Sequence, residues 1–368
     1  MMSAPLKDIY SPEFYAEFSK ALRLAIEAFD EPRFNQLIFT PEFEGFELKQ
    51  RMTHTATVLH EFLPEDFAAA VAIIKDTINH LRQMDIYEHT IEFMFFPEYI
   101  SMYGMDDFDA AVDGIEFITQ YTSCEFAVRP FIVKYEQAML AQMHRWAKHS
   151  HHMVRRLASE GCRPRLPWAM ALPALKKDPT PIAGILHQLF NDSHETVRRS
   201  VANNLNDIAK DNPQVVIDFA KQYKGTSKTA DWTTKHACRT LLKDGNESVL
   251  KLFGFDSRNI QLLDFEIITP VVRVGEHLEF SFSILNNDEQ AKLVRLEYGL
   301  YYRKQNGSLS RKVFKISERN IDANARHEIK RKQSFKVITT RKFHPGEHQL
   351  SIILNGQEMA VKGFELVM

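Results

Sequence analysis

A change of hydrophobic period near residue 258 constrains this chain more than any other feature. Before it, apolar residues recur at three- and four-residue steps; after it they alternate. Phe14, Phe18, Leu22, Ala25 and Phe29 trace the stripe of an amphipathic helix, and similar stripes follow, interrupted at Pro64, Pro97, Pro130, Pro167 and Pro181. Beyond 258, Leu278, Phe280, Phe282 and Ile284 alternate with Glu279, Ser281 and Ser283, as a half-buried strand requires. Val294, Leu296, Tyr298, Leu300 and Tyr302 repeat that pattern, and Phe335, Val337, Leu350, Ile352 and Leu354 extend it. Turn signals at Asn286-Asn287-Asp288, Gln305-Asn306-Gly307, Pro345-Gly346 and Asn355-Gly356 separate the runs. About seven strands in about 110 residues are the size of an immunoglobulin-like antiparallel sandwich. The expectation is therefore an α + β multidomain chain, helical over 1–257 and a small β-sandwich over 258–368.

The helical part carries a repeat. Val154-Arg155-Arg156-Leu157-Ala158 returns as Val197-Arg198-Arg199-Ser200-Val201-Ala202, 43 residues later, and Arg239 follows after another 41. Helical units with a period of roughly 40–47 residues belong to the HEAT and armadillo range. Because one such unit cannot bury its own apolar face, neighbours stack into a curved solenoid with a long concave surface.

The net charge of −2 averages two unlike regions. Residues 1–128 hold 8 Lys and Arg against 23 Asp and Glu, whereas the remainder holds 38 against 25. Within 129–165 alone there are 8 basic and 2 acidic side chains, with four histidines. Such asymmetry concentrates positive potential where a phosphate backbone could lie. Arg311, Lys312, Lys315, Lys330, Arg331, Lys332, Arg341 and Lys342 decorate the β region with further cations. No N-terminal apolar leader and no run of about 18 apolar residues is present, so the expected location is the cytoplasm, without a membrane partner. Cys124, Cys162 and Cys238 are odd in number and widely spaced, which suits free thiols rather than a disulfide framework or a metal site. His149, His151 and His152 cluster without a carboxylate at ligand spacing, and no metal is expected there.

Three segments could carry chemistry. In the run Asp192 to Ile208, Asp192 or Ser193 is the expected N-cap, with Glu195 completing a capping box. On a wheel of 100° per residue Val197, Val201, Leu205 and Ile208 face the core, and Arg199, Asn203 and Asp207 form an i, i+4, i+8 row on the opposite face. Around Trp168, the stretch Arg163-Pro164-Arg165-Leu166-Pro167 is a stiff loop that can present an aromatic beside cations. Glu125 lies among Cys124, Phe126, Ala127 and Val128, with Arg129 four residues on. On spacing alone each has a plainer reading as well: a solvated helix face, a core tryptophan, a semi-buried Glu–Arg pair.

The same three segments resemble the AlkC family of bacterial alkylation-repair glycosylases. The resemblance runs through Ser123-Cys124-Glu125-Phe126-Ala127-Val128-Arg129-Pro130-Phe131, then Arg155 to Gly161 and Arg163 to Trp168. It continues through Val197 to Asp207 and reaches His236 to Lys243, so that it covers about residues 90–255. The β region is similar to the immunoglobulin-like extension that some members carry. One departure is Cys124, where the family more often has a small hydroxyl residue. The resemblance implies that Glu125 and Asp207 are the acids at the lesion and that Trp168 contacts the damaged nucleotide. It makes Arg155, Arg156, Arg163, Arg165, Arg198, Arg199 and Arg239 candidate backbone contacts, with Asn203, Lys235 and His236 added to the DNA-facing set.

The implied activity is that of a monofunctional DNA glycosylase of base excision repair. It would act as a monomer, without cofactor, on duplex DNA containing alkylated bases. Its implied substrates are cationic N3-methylated bases, chiefly 3-methyladenine and also 3-methylcytosine. Methylation makes the base a good leaving group, and a preorganised carboxylate can stabilise the oxocarbenium-like sugar and position water. The competing reading is a non-catalytic HEAT-repeat scaffold that binds DNA or protein, because a fold alone does not establish an activity.

Overall fold

Caps and prolines set the helices of the first part. Ser11, Asp30, Asp66 and Asp107 each accept a backbone N–H three residues on, satisfying donors that a helix start leaves open. The computed structural model describes residues 5–86, 91–337 and 342–368; Arg341, among the expected surface cations, lies outside them. Pro97, Pro130 and Pro181 sit in the first turns of helices Phe95–Tyr103, Val128–Trp146 and Thr180–Leu189, where the missing N–H costs nothing. These three breaks in the apolar stripes mark helix starts, whereas Pro64 and Pro167 lie in loops. The first helix, Pro12–Ala25, ends short of Phe29, with Ala28 at φ 55 beyond it. Its buried face is Tyr15, Phe18, Ala21 and Leu22, packed in an aromatic cluster with Phe34, Phe93, Phe95 and Phe96.

The chain divides into two compact units, residues 1–216 with 223–237, and residues 217–222 with 238–368. In the first, helices His152–Glu160, Glu195–Ile208 and Lys228–Ala237 pack side by side. The repeat is visible in hydrogen bonds. Arg155 Nη1 donates to the carbonyls of His149 and Ser150, six and five residues back. Arg198 Nη1 does the same to Asp192 and Ser193, six and five residues back. Each arginine thus ties down the loop that feeds its own helix. Helix Glu195–Ile208 begins two residues later than a capping box from Asp192 to Glu195 implies, with His194 at the N-cap. Asp192 instead receives Arg155 through both oxygens, at 2.6 and 3.0 Å.

The second unit contains a sandwich of eight strands: β1 (Ile260–Ile267), β2 (Val271–Arg273), β3 (His277–Asn286), β4 (Lys292–Arg303), β5 (Leu309–Ile321), β6 (Arg326–Ser334), β7 (Gly346–Leu354) and β8 (Gln357–Val367). One sheet has the order β1-β3-β6 and the other β2-β8-β7-β4-β5. All pairs are antiparallel except β2 with β8. Leu278, Phe280, Phe282 and Ile284 of β3 meet Leu296, Leu300, Leu350, Ile352 and Leu354 in one apolar core. The Asn355-Gly356 turn joins β7 to β8 with φ of 46° and 76°, the left-handed pair that a two-residue hairpin of right-twisted strands requires. Several expected surface cations are paired: Arg311 with Glu358, Lys315 with Glu318, and Lys330 and Lys332 with Glu279.

Candidate functional site

Glu125 lies in the turn that enters helix Val128–Trp146. Its Oε2 accepts hydrogen bonds from Ser123 Oγ and from Arg156, both at 2.7 Å, and Arg156 also donates to Ser123 Oγ at 3.0 Å. The buried Cys124 anchors this turn, and burial pushes its thiol well above the ordinary range. Glu125 keeps 16% of its side chain exposed. Its ionic partner is Arg156, a cation from the next helix, rather than the Arg129 that sequence spacing suggested.

Arg129 points the other way. It is fully buried and donates to the carbonyls of Gly161, Arg163 and Met170 at 2.9, 2.9 and 2.7 Å. Burial holds its guanidinium down at about 10, below the ordinary arginine value. These three carbonyls belong to the loop that follows helix His152–Glu160 and contains Trp168.

Asp207 is placed differently from the helical-wheel expectation. Arg199 is exposed and Asn203 half-buried, but further along the row Asp207 is buried, with 3% of its side chain exposed. The loop carrying Arg163 lies over that end of the helix. Arg163 reaches Asp207 Oδ2 at 2.9 Å through both Nε and Nη2, and Glu160 at 2.6 Å through Nη1. Burial pulls the Arg163 pKa down, Glu160 and Asp207 outweigh it, and the net shift is upward. With its donors on carboxylates and its side chain buried, Arg163 is not available to a phosphate in this arrangement. Lys210 Nζ, half-exposed, covers Asp207 Oδ1 at 3.2 Å.

Trp168 is presented rather than packed. Its φ is 64°, a left-handed conformation that costs a non-glycine residue about 1–2 kcal/mol, and it is 64% exposed. Lys49 donates to its carbonyl oxygen, and Trp168 borders a cleft of 290 Å³ shared with Met52, Thr53, Glu98, Phe126 and Met170. Nearby, Arg165 makes a bidentate pair with Asp211 at 2.7 and 2.9 Å, both side chains partly exposed.

The remaining candidates separate into two groups, with Arg239 apart from both. Arg155 and Arg198 brace the repeat loops, as above. Arg199 pairs with Glu195 at 2.5 Å and lies 5.7 Å from the ring centroid of Trp232. His236 stacks parallel to Trp232, 5.2 Å away, and its Nε2 meets Asn203 Oδ1 at 3.0 Å. Lys235 is half-buried beside them. Trp232 is a partly exposed aromatic among DNA-facing candidates that sequence reasoning passed over; its spacing of four from His236 on one helix was the available signal. Arg239 opens helix Arg239–Lys243 in the other compact unit. Of the histidine group, His149 faces Glu116 at 3.7 Å, His151 caps helix His152–Glu160, and His152 stacks on His194 at 3.8 Å. Among the described residues no group of three or more His, Cys, Asp or Glu is placed to hold a metal ion, and no helix is long and apolar enough to cross a membrane.

Comparison with known proteins adds the following. Residues 109–241 match the family profile described as "DNA alkylation repair enzyme", and residues 261–368 match "Uncharacterised protein YhaZ, C-terminal Ig-like domain". The chain is 41% identical to protein YhaZ of Bacillus subtilis (strain 168), over 96% of this chain and 97% of that one. It also matches the structure of the Pseudomonas fluorescens alkylpurine DNA glycosylase AlkC bound to DNA containing an abasic site analog. That match has a TM-score of 0.92 and 31% identity, and it covers 99% of this chain and 100% of that one.

Proposed function

The chain belongs to the AlkC family of DNA alkylation-repair proteins, and on that premise we propose that it hydrolyses the N-glycosidic bond of cationic N3-methylated bases in duplex DNA, with 3-methyladenine the principal substrate and 3-methylcytosine a second. One observation carries this reading beyond family membership. A single segment, Arg156 to Trp168, supplies the arginine partner of each candidate acid and presents the exposed indole.

When the bond breaks, its electron pair goes to the base, neutralising the charge that methylation placed there. The deoxyribose is left as an oxocarbenium-like cation. Glu125, the more accessible acid, offers a fixed negative charge to that cation and takes the proton of the water that adds to it. The arrangement parallels sugar hydrolysis by paired carboxylates, but no acid need protonate a leaving group that is already charged. Asp207 is held by Arg163, and its second oxygen is covered by the half-exposed Lys210. A DNA phosphate that draws Lys210 away would uncover that oxygen toward the sugar.

Trp168 would fill space opened in the distorted duplex. Arg165, Arg199, Asn203, Lys235 and His236 are assigned to the backbone, with Arg239 and the basic β-sandwich as further grips. Arg155 and Arg198 act indirectly, by holding the repeat loops. We assign catalysis to the helical part through residue 257 and an additional clamp to 258–368, in a monomeric cytoplasmic enzyme without a cofactor.

The rival reading, a DNA-binding scaffold, draws on the fact that both acids are ion-paired, as in purely structural networks. Chromatography of bases released from methylated duplex DNA separates the two. Release of 3-methyladenine ahead of 7-methylguanine is expected; binding without release of any methylated base would favour the scaffold.

A further inference from the structure

We propose that Lys49, from the acidic first third of the chain, and Arg129 are positioning residues for Trp168: two cations that hold the loop around it so that the indole stands out at a fixed angle. The inference rests on the reading of Trp168 as the lesion-contacting aromatic. Neither the residue's backbone preference nor burial of its ring accounts for its placement, since it has a φ of 64° and is 64% exposed. The restraint must come from neighbours, and two are in place.

Arg129 works from inside. Gly161 and Arg163 precede Trp168 and Met170 follows it, so three carbonyls bound to one guanidinium tie both legs of the loop to helix Val128–Trp146. A buried guanidinium with no carboxylate in hydrogen-bond contact is costly; those carbonyls compensate it directly, and the charges of Asp207 and Glu160 do so from farther off. An apolar side chain could fill the same volume but could not bind three carbonyls at once. Asp207, whose charge acts on Arg129, is held by the same loop through Arg163, so the clamp also relates Trp168 to that acid.

Lys49 works from outside. It projects from helix Leu48–His60, lies 4.9 Å from the ring centroid of Phe126, the residue after Glu125, and donates to the carbonyl of Trp168 itself. One exposed lysine thereby touches the Glu125 turn and the left-handed residue together. This gives the acidic first third a part in the site that its charge alone did not suggest.

The test reads Trp168 directly. Of the three tryptophans Trp146 is buried, so in a Trp232→Phe background Trp168 is the indole that acrylamide reaches. Adding Lys49→Met should raise acrylamide quenching and lower the emission anisotropy, and Lys49→Arg should restore both. In the otherwise wild-type chain, Lys49→Met should slow single-turnover release of 3-methyladenine roughly ten-fold, the sensitivity expected of a displaced positioning group, at unchanged duplex affinity. Arg129→Lys should act in the same direction and more strongly. If it does not fold, the Lys49 pair decides, because that side chain is exposed. Unchanged quenching and anisotropy in Lys49→Met would overturn the proposal, and so would a change in them that leaves base release intact. Should the wild type release no base at all, the glycosylase reading fails while the fluorescence arm still judges the tether.

Discussion

Two carboxylates, each held by an arginine from the same short segment, differ in how far solvent reaches them. Glu125 and Arg156 keep 16% and 22% of their side chains exposed; Asp207 and Arg163 keep 3% and 8%. The chemistry of the pairs is alike, but the solvent is not. A half-screened pair contributes modestly to stability and can exchange its partner for a ligand. A buried pair penalises removal of either member, because the survivor keeps its charge without compensation. Glu125 is thus the acid that the proposed mechanism sets against the developing cation, whereas Asp207 is built into the frame that holds the loop above it.

The contrast yields four expectations, in order of size. Arg163→Ala should destabilise the fold by about 3–5 kcal/mol, since it strands Asp207 and Glu160; Arg156→Ala should cost only about 1 kcal/mol. Urea denaturation of both proteins measures the gap, and equal losses would erase the distinction. Glu125→Gln should reduce base release by about 10²-fold or more, about 2.7 kcal/mol in the barrier, while changing unfolding free energy by less than about 1 kcal/mol. Trp168→Gly should do something unusual for a site residue: raise stability by up to about 1 kcal/mol, because glycine accepts the left-handed φ freely, while base release falls. Loss of stability there would mean that the ring packs in solution. Arg165→Ala, at the half-exposed Asp211 pair, should leave stability nearly unchanged and reduce the salt slope of duplex binding by about 1. An unaltered slope would remove Arg165 from the phosphate contacts.

The sequence announced the architecture where the physics is local. Alternation in β3 and the Asn355-Gly356 turn depend on the pleat and on left-handed φ, both properties of a few adjacent residues. The 43-residue echo of Val-Arg-Arg reappears in Arg155 and Arg198, each bound to the carbonyls six and five residues before it. The proline-bracketed loop that could present Trp168 does present it. What stayed hidden depends on a second segment. A helical wheel treats Asp207 as exposed because it cannot see the Arg163 loop laid across that turn. Spacing of four suggested Arg129 for Glu125, yet Arg129 lies in the first turn of a helix that turns its side chain inward, and Arg156 arrives from 31 residues away. Lys49 on Trp168 spans 119 residues, a contact no local pattern encodes. The arginines looked interchangeable in the sequence; burial divides them into those that hold the protein together and those left facing solvent.

The proposed role of Glu125 is catalytic and not merely structural. The most direct test is single-turnover release of 3-methyladenine from a methylated duplex by wild type and Glu125→Gln, at protein concentrations above the dissociation constant of each. Free base from the wild type, a loss of about 10²-fold in the variant, and equal duplex affinity for both are expected. Equal rates would contradict it, and so would a variant that loses rate only in proportion to lost affinity or fold.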